Sequence, residues 1–329
     1  QQHVNVYERS RLKGLAILHY IHLLPKEVHT VIGDVCAKNS LADFFADADS
    51  RTCVIHCAGI VSVASRPGPR LYQVNVGGTG QLLQQCMAHK VGKLVYVSSV
   101  HAIPEKSKDC IITEDCEFSP GLVDGDYAKS KATATELVFD AAERGLNASI
   151  VFPSGIIGPG DMQGGSFTSM ARSFLAGKLP FAVRGGYDFV DVRDVAKGIL
   201  DCSENGEPGK GYILSGHYVT IRKMLQLVGK TAKRKYRPIC LPLGLAKLAA
   251  PYYEPEEAKA AVFHTLFRCR TCLKRTIQPC RSIGMLCISS APGEGYFAGH
   301  DSLAFGAEEK GRSVTSPKST SGRLRMLLA

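Results

Sequence analysis

The sequence has 329 residues, of which 45% are hydrophobic, so it is long enough to bury a core as one large α/β unit or as two lobes. Its formal net charge is +10, and half of that excess lies in residues 255–329, which hold 11 Lys/Arg and 6 Asp/Glu. The other charges are scattered and form no basic stripe with aromatic residues, which argues against nucleic acid as a partner. No apolar run is long enough to span a membrane, and no signal-peptide pattern opens the sequence. We therefore expect a cytoplasmic protein that binds neither nucleic acid nor membrane.

The twelve cysteines do not indicate a metal centre or a disulfide framework. Several of them, such as Cys53, Cys57 and Cys86, lie within apolar segments, where cysteine behaves as a small hydrophobic residue. Cys269 and Cys272 form a CxxC pair, but a zinc site needs a second close pair and the remaining spacings are irregular. We predict no metal site.

Apolar segments of strand length alternate with segments of helical spacing along most of the chain. The predicted strands are 3–8, 28–34, 52–59, 93–99, 147–153, 211–216 and 236–242. The predicted helices are 11–23, 40–48 with Ser40 as its N-cap, 71–90, 126–145, 166–178, the second part of 189–204, 220–230 and 243–253. The Pro/Gly-rich run 153–161 is predicted to be a loop. Segment 52–59 is a short run of mostly apolar residues, which is typical of a strand buried on both faces of a parallel sheet. Repeated strand and helix units predict a doubly wound parallel sheet.

Polar and small residues follow the predicted strands at their carboxyl ends. They are Glu8, Asp34, Ala58, Gly59 and Ser99. In an open parallel sheet these ends lie along one edge, and ligands bind there. The sequence therefore predicts a ligand site along that edge.

Tyr127 and Lys131 lie four residues apart at the start of a predicted helix, so their side chains share one face. An ammonium near a phenol favours the phenolate and lowers a pKa that is ordinarily about 10. Such a tyrosine can exchange a proton with an alcohol or carbonyl oxygen. The hydroxyls of Ser98 and Ser99, at a strand end, could hold that oxygen. The same YxxxK spacing also arises by chance on exposed helix faces, so the pair needs support from the rest of the chain.

That support comes from an ordered set of motifs: Glu8 at a strand end, GDV at 33–35, HCAG at 56–59, NVGGTG at 75–80, YVSS at 96–99, YAKSKA at 127–132, PSGIIGPGD at 153–161 and FVDVRDVA at 189–196. Together they resemble the extended short-chain dehydrogenase/reductases, which include NAD-dependent epimerase/dehydratases and enzymes similar to dihydroflavonol 4-reductase and 3β-hydroxysteroid dehydrogenase. The resemblance covers about residues 3–254. It implies a Rossmann fold. It also implies that Tyr127 is the general acid/base, that Lys131 lowers the Tyr127 pKa and binds the nicotinamide ribose, and that Ser99 orients the substrate oxygen, with Ser98 as the alternative.

The resemblance also implies the residues that bind the cofactor, NAD or NADP. Asp34 and Val35 would meet the adenine, Ala58 and Gly59 would leave room above the strand end, and Pro153 and Ser154 would border the nicotinamide. Asn75 would support the central strands. An acid at the end of the family fold's second strand accepts hydrogen bonds from the ribose and favours NAD. Glu8, at the end of the first strand in this sequence, corresponds to that acid. Arg9 and Arg11 are close enough in sequence to favour NADP instead, so we expect NAD or NADP with only a slight preference for NAD.

Two parts of the sequence depart from the family. The first strand and its Gly-rich turn, which bind the pyrophosphate, should precede Glu8 by about 20 residues and are not present, so we expect an N-terminal truncation and weak dinucleotide binding. Residues 255–329 lose the strand and helix pattern, and we expect an out-of-frame or disordered tail. The predicted domains are a truncated dinucleotide-binding domain at 1–154 and 188–202, a substrate lobe at 155–187 and 203–254, and the tail.

The resulting functional hypothesis is an NAD(P)-dependent oxidoreductase that acts on a secondary alcohol or ketone. A nucleotide-sugar epimerase or dehydratase is the enzymatic alternative, and a non-catalytic dinucleotide sensor is the other. The residues chosen for the substrate lobe, Phe167, Phe174, Phe181 and Arg184, are mainly apolar and favour a reductase with an apolar or modest-sized substrate. The resemblance also allows a homodimer through helices 71–90 and 126–145.

Overall fold

The fold is taken from a computed structural model that describes residues 4–9, 28–37, 39–62, 68–105, 112–116, 118–161, 165–179, 181–183, 185–233, 239–241 and 323–327. The strands are β1 Val4–Arg9, β2 Val28–Gly33, β3 Thr52–His56, β4 Lys93–Val97, β5 Ala148–Pro153, β6 Gly155–Ile157, β7 Phe181–Val183, β8 Gly186–Asp191, β9 Gly211–Leu214, β10 His217–Thr220, β11 Ile239–Leu241 and β12 Arg323–Leu327. The α-helices are α1 Ala42–Phe45, α2 Arg70–Tyr72, α3 Thr79–Ala88, α4 Asp126–Glu143, α5 Ser166–Leu175, α6 Val192–Asn205 and α7 Ile221–Thr231. The predicted helices at 11–23 and 243–253 lie outside the described residues.

Seven strands form one sheet in the order β2-β1-β12-β3-β4-β5-β9. All six neighbouring pairs are parallel, so every carboxyl end lies at the same edge. Successive side chains of a strand point to opposite faces. Accordingly Leu94 and Tyr96 enter one core, which α3 and α4 cover, while Val95 enters the other, which α6 covers. The predicted doubly wound parallel sheet is confirmed.

The place between β1 and β3 is filled by β12, from the far end of the sequence. Leu324 lies opposite Val4 on one side and opposite Cys53 on the other. The fold's first strand before Glu8 was predicted to be missing, and residues 255–329 were predicted to be out of frame or disordered. The predicted disorder is wrong for residues 323–327, which pair on both sides, because pairing over such a sequence distance depends on complementary strand edges and leaves no local signal. The missing first strand and the out-of-frame tail stay predictions. The rest of the tail lies outside the described residues.

Helices α2 and α3 are joined without a break by a π-helical segment, Gln73–Gly78. Helix α4 lies beside this continuous helix. The chain enters α4 through Gly125, whose φ of +88° lies in a region that residues with a Cβ seldom adopt. Glycine at this position therefore lets the loop turn directly into the helix that carries Tyr127 and Lys131.

A second, smaller body packs beside the sheet. Met170, Phe174 and Leu225 share a separate core there with other residues of α5, β7 and α7. Strands β10, β8 and β6 form a three-stranded sheet, and β11 pairs with β7. Some predicted boundaries are wrong. β9 joins the large sheet through β5, although 203–254 was assigned to the substrate lobe. β8 pairs with β6 and β10, although 188–202 was assigned to the dinucleotide-binding domain, on whose sheet α6 of that segment packs.

Two local predictions also fail. The Pro/Gly-rich run 153–161 was predicted to be a loop, yet β6 forms within it because β8 offers a partner edge. Ser40 does not cap the helix that was predicted at 40–48, since α1 begins at Ala42 with Leu41 as its N-cap. The Ser40 hydroxyl instead accepts a hydrogen bond of 2.7 Å from the backbone N–H of Asp34, which fixes the turn after β2.

Candidate active site

The candidate site lies at the carboxyl edge of the large sheet, where β3, β4 and β5 end. Ser99 follows β4, and the first turns of α4 bring Tyr127 and Lys131 to the same place. All three side chains are buried, with relative exposures of 8%, 9% and 5%. The three residues predicted to carry catalysis are therefore brought together.

The Ser99 hydroxyl acts on the Tyr127 phenol, because it lowers the Tyr127 pKa against the larger effect of burial. Ser99 has extended backbone angles and also accepts a hydrogen bond of 3.3 Å from the backbone N–H of His101, so it caps a short 3₁₀ turn over Val100–Ala102. This bond fixes the Ser99 side chain beside the phenol. An oxygen held by the Ser99 hydroxyl would lie next to the Tyr127 hydroxyl.

Ser98 points to a different partner. Its hydroxyl shares a hydrogen bond of 2.7 Å with the hydroxyl of Thr135, one helical turn beyond Lys131, and its own exposure is 6%. This buried bond ties β4 to α4. Of the two serines offered by the sequence, Ser99 is the one placed against Tyr127.

Lys131 lies below the strand ends. Its Nζ donates hydrogen bonds of 2.9 Å to the carbonyl oxygen of Val97 and 3.3 Å to the hydroxyl of Tyr96, and it lies 4.9 Å from the centre of the Tyr96 ring. Burial lowers the pKa of Lys131 to about 8, and the nearby Cys57 thiol opposes part of that change. The ammonium is thus held by a carbonyl and an aromatic face, with no carboxylate as its partner in these contacts.

The predicted effect of Lys131 on Tyr127 is not found. Burial raises the pKa of Tyr127 to about 12, and the hydrogen bond from Ser99 opposes part of that rise. The predicted lowering was wrong because desolvation of the phenolate outweighs any gain from the neighbouring charge. The phenol therefore holds its proton at neutral pH, as a proton donor must.

Asn75 clamps the loop that follows β3. Its side chain accepts a hydrogen bond of 2.7 Å from Ile60 N–H, and it donates bonds of 3.0 Å to Ile60 C=O and 3.0 Å to the Ser130 hydroxyl. Asn75 lies in the π-helical segment and is 1% exposed. One side chain thereby holds the loop and the start of α4 together, which agrees with its predicted supporting role.

The predicted adenine contacts lie after β2. One Asp34 carboxylate oxygen accepts a hydrogen bond of 2.9 Å from Cys36 N–H, and the other lies 3.4 Å from the Arg70 guanidinium. Val35 is buried, and a Cβ added to Gly78 would lie 2.6 Å from its Cγ2. Glu8 lies near the carboxyl end of the neighbouring β1, opposite Ile32. These residues share one end of the edge, on the far side of β12 from the catalytic group.

The nicotinamide half of a dinucleotide fits the residues present. The hydroxyl oxygen of Ser154, just after β5, is buried with no hydrogen-bond partner among the described residues, so it is available to a ligand group. A Cβ added to Gly59 would lie 3.4 Å from Lys131 Nζ and 3.3 Å from Asn75 Oδ1, so glycine leaves the ammonium open from that side. Ala58 and Pro153 are the buried small and rigid residues beside them.

The described residues offer less support for binding the phosphate half of the dinucleotide. Within the described ranges no glycine-rich turn joins a strand of the large sheet to a helix at the place where the strand order reverses. The glycines of NVGGTG lie in the π-helical segment and the start of α3, and Gly78 packs against Val35. In the sequence, Leu328 and Ala329 follow β12.

The sequence interpretation missed three buried aromatic residues beside the site, His56, Tyr96 and Tyr187. Burial and the Lys131 charge lower the pKa of His56 to about 3, so its ring is neutral. Its Nε2 lies 2.9 Å from the Thr79 hydroxyl, which itself donates 2.7 Å to Asn75 C=O. The hydroxyl has one proton, so Nε2 must carry the hydrogen of the histidine. The HCAG motif was the available signal for His56. Tyr187 had none.

Two further properties bear on the class of site. Among the described helices, none combines the length and the apolar character needed to cross a lipid bilayer. The described residues also contain no group of three or more His, Cys, Asp or Glu side chains that could hold a metal ion.

Comparison with known proteins identifies the family of the chain. The profile of the NAD dependent epimerase/dehydratase family matches residues 2–215, more than half of the chain. The chain belongs to this family. It is 31% identical to sterol demethylase protein B of Methylococcus capsulatus over 231 residues, which cover 68% of each chain. It is 30% identical to a putative dihydroflavonol 4-reductase of Synechocystis sp. over 210 residues, 60% of this chain and 61% of the relative. The proposed resemblance to extended short-chain dehydrogenase/reductases is confirmed.

A solved structure supports the fold of this family member. RMD from Pseudomonas aeruginosa, complexed with NADPH, superposes with a TM-score of 0.57 at 23% identity and covers 80% of this chain and 98% of its own. At this identity the likeness shows the fold alone. The chain spans about two thirds of the length of the two curated relatives, with 68% and 61% covered.

Proposed function

We propose that the protein is an NAD(P)-dependent oxidoreductase that interconverts a ketone and a secondary alcohol. The observation that carries this proposal is the buried group of Ser99 and Tyr127 at the carboxyl edge of the sheet, with Lys131 one helical turn further along α4. Membership of the epimerase/dehydratase family supports it.

Residues of the chain would hold the substrate oxygen and transfer the proton to it. The Ser99 hydroxyl holds the substrate oxygen beside the phenol, and the Tyr127 hydroxyl, which is protonated at neutral pH, donates its proton to that oxygen as the carbonyl is reduced. The phenolate left behind lies in a buried site, where the Ser99 hydroxyl, which lowers the Tyr127 pKa, stabilises it. A nicotinamide cofactor, when bound, supplies or accepts the hydride.

The dinucleotide would lie across the strand ends. Lys131, Gly59, Pro153 and Ser154 would hold the nicotinamide and its ribose, with Asp34, Val35 and Glu8 toward the adenine. The preference for NAD over NADP rests on Glu8 and stays a prediction. Parallel fluorescence titrations with NADH and NADPH measure both affinities. They also test the expected weak binding, which a dissociation constant in the micromolar range or tighter would contradict.

The test of the proposed function is Tyr127→Phe, assayed by oxidation of NADH or NADPH with a panel of apolar ketones. Loss of the general acid should lower kcat by about a hundredfold or more. Tyr212→Phe is the matched control, since it also removes one phenolic hydroxyl, which accepts a 2.9 Å hydrogen bond from Glu207 N–H near the amino end of β9. A near-normal rate in Tyr127→Phe would contradict the assignment, as would a loss of equal size in the control.

The same assay separates the alternatives. A nucleotide-sugar epimerase or dehydratase would convert its sugar nucleotide with no net change in the cofactor, whereas the reductase consumes it in proportion to product. A dinucleotide sensor would bind cofactor equally well with and without the Tyr127 hydroxyl and turn nothing over.

Of the aromatic residues first chosen for the substrate lobe, Phe174 belongs to its core and is 2% exposed, so it does not line a pocket. Phe167 lies half-buried against Phe189. The described structure does not cover Arg184 or the side chain of Phe181. The homodimer stays a prediction.

A further inference from the structure

His101 occupies the point where the Ser99–Tyr127 pair meets the smaller body. Its backbone N–H donates to Ser99 Oγ, and the edge of its ring packs against Tyr127, with ring centres 6.0 Å apart at an angle of 70°. The ring is half-buried. A single residue therefore contacts both partners of the proposed proton transfer.

The His101 ring is also held by Tyr187 on β8. The two rings stack with centres 5.8 Å apart at 22°, and His101 Nε2 shares a hydrogen bond of 2.9 Å with the Tyr187 hydroxyl. Both a stacking contact and a directed bond thus set the plane of the imidazole. Loss of either would allow the ring to rotate away from Tyr127.

Tyr187 is itself firmly placed. It is 2% exposed, its ring packs edge-on against Phe189 at 5.6 Å, and a Cβ on Gly155 would lie 2.6 Å from its ring. A phenylalanine would fill this space equally well, so packing does not explain the hydroxyl. The hydroxyl finds its partner in His101, which fits the rule that buried polar groups are hydrogen-bonded.

We propose that His101 is a positioning residue for the reaction, held by Tyr187, and that the pair sets the orientation of the Tyr127 phenol toward the substrate oxygen. This inference rests on the proposed oxidoreductase function. It also couples the three-stranded sheet to the catalytic group, because Tyr187 belongs to that sheet. Small displacements of a reacting group lower the rate strongly, whereas ground-state binding depends on other contacts.

The test compares Tyr187→Phe, His101→Ala, the double variant and His101→Gln in the ketone reduction assay. Each of the first two should lower kcat about tenfold with KM changed by less than about twofold. The double variant should lose about the same tenfold, not a hundredfold, because both changes break one bond. Gln offers both a donor and an acceptor near the position of Nε2, so His101→Gln should recover kcat to within about threefold of the wild type.

A second readout needs neither substrate nor cofactor. NMR of isotope-labelled tyrosine, with the Tyr127 signal assigned from Tyr127→Phe, follows the phenol titration in the free protein. His101→Ala removes the ring that packs against Tyr127 and so exposes more of the phenol to solvent. The Tyr127 pKa should therefore fall from about 12 toward the ordinary value of about 10. Tyr212→Phe should leave this titration and kcat unchanged.

The outcomes separate the two proposals. Unchanged kcat and an unchanged Tyr127 titration in folded Tyr187→Phe and His101→Ala would overturn the positioning role while Tyr127→Phe remains inactive. A multiplicative hundredfold loss in the double variant would also overturn it. An active Tyr127→Phe protein would instead overturn the proposed function. Thermal unfolding of every variant identifies any that fail to fold, and the conservative Tyr187→Phe and His101→Gln then decide.

Discussion

Lys131→Met gives the sharpest test of the electrostatics of the site. Burial lowers the pKa of Lys131 from 10.5 to about 8. Below pH about 8 the lysine is protonated in both the folded and the unfolded chain. Between about 8 and 10.5 the folded protein has released this proton while the unfolded chain still carries it, so the free energy of unfolding rises with pH. A shift of about 2.5 units corresponds to about 3 kcal/mol.

The measurement is urea unfolding of the wild type and of Lys131→Met at pH about 7 and about 10.5. The stability of the wild type relative to the variant should increase by about 3 kcal/mol over this range, because the other titrating groups are common to both proteins. Lys197→Met, which removes an exposed lysine from α6, controls for the loss of one positive charge. A difference between wild type and Lys131→Met that stays constant with pH would refute the assignment of Lys131 as a buried ammonium.

Three further predictions concern stability, each measured by denaturant or thermal unfolding. Asn75→Ala should cost about 2–4 kcal/mol, because it leaves both backbone groups of Ile60 without their side-chain partner; a loss below about 0.5 kcal/mol would contradict the clamp. Lys93→Met should cost about 1–3 kcal/mol, since Lys93 Nζ donates 2.6 Å to Gly206 C=O at the opposite edge of the sheet; equal stability would show that this bond contributes nothing. Leu324→Pro should cost about 3 kcal/mol or more, because proline removes a ladder hydrogen bond from a strand paired on both sides; an unchanged midpoint would contradict the place of β12 in the sheet.

Much of the sheet could be predicted from sequence because its strands β2 to β5 carry local signals. Apolar runs such as 93–97 and 148–153 are long enough to be read as buried strands, and the intervening helical periods place them in parallel. The same reasoning could not find β12. Its five residues pair with β1 and β3 at a separation of more than 250 positions, and its alternating Arg and Leu pattern has no helix or turn beside it to mark it.

The grouping of the candidate catalytic residues could also be predicted, because Ser99, Tyr127 and Lys131 lie within one strand, loop and helix. Their electrostatics could not, since the Tyr127 pKa depends on how completely the phenol is buried by residues distant in sequence. Tyr187 was missed for the same reason: it lies 86 positions from His101 and meets it only through the three-stranded sheet. The choice between Ser98 and Ser99 likewise needed the position of Thr135.

The most direct test of the central claim is isotope transfer. The protein is incubated with a ketone from the screen and with NADH or NADPH deuterated at the transferred position, and the alcohol is examined by mass spectrometry. The account predicts alcohol that carries one deuterium from the cofactor, with about a hundredfold less of it formed by Tyr127→Phe. Alcohol without deuterium, or an equal yield from Tyr127→Phe, would contradict hydride transfer with Tyr127 as the proton donor.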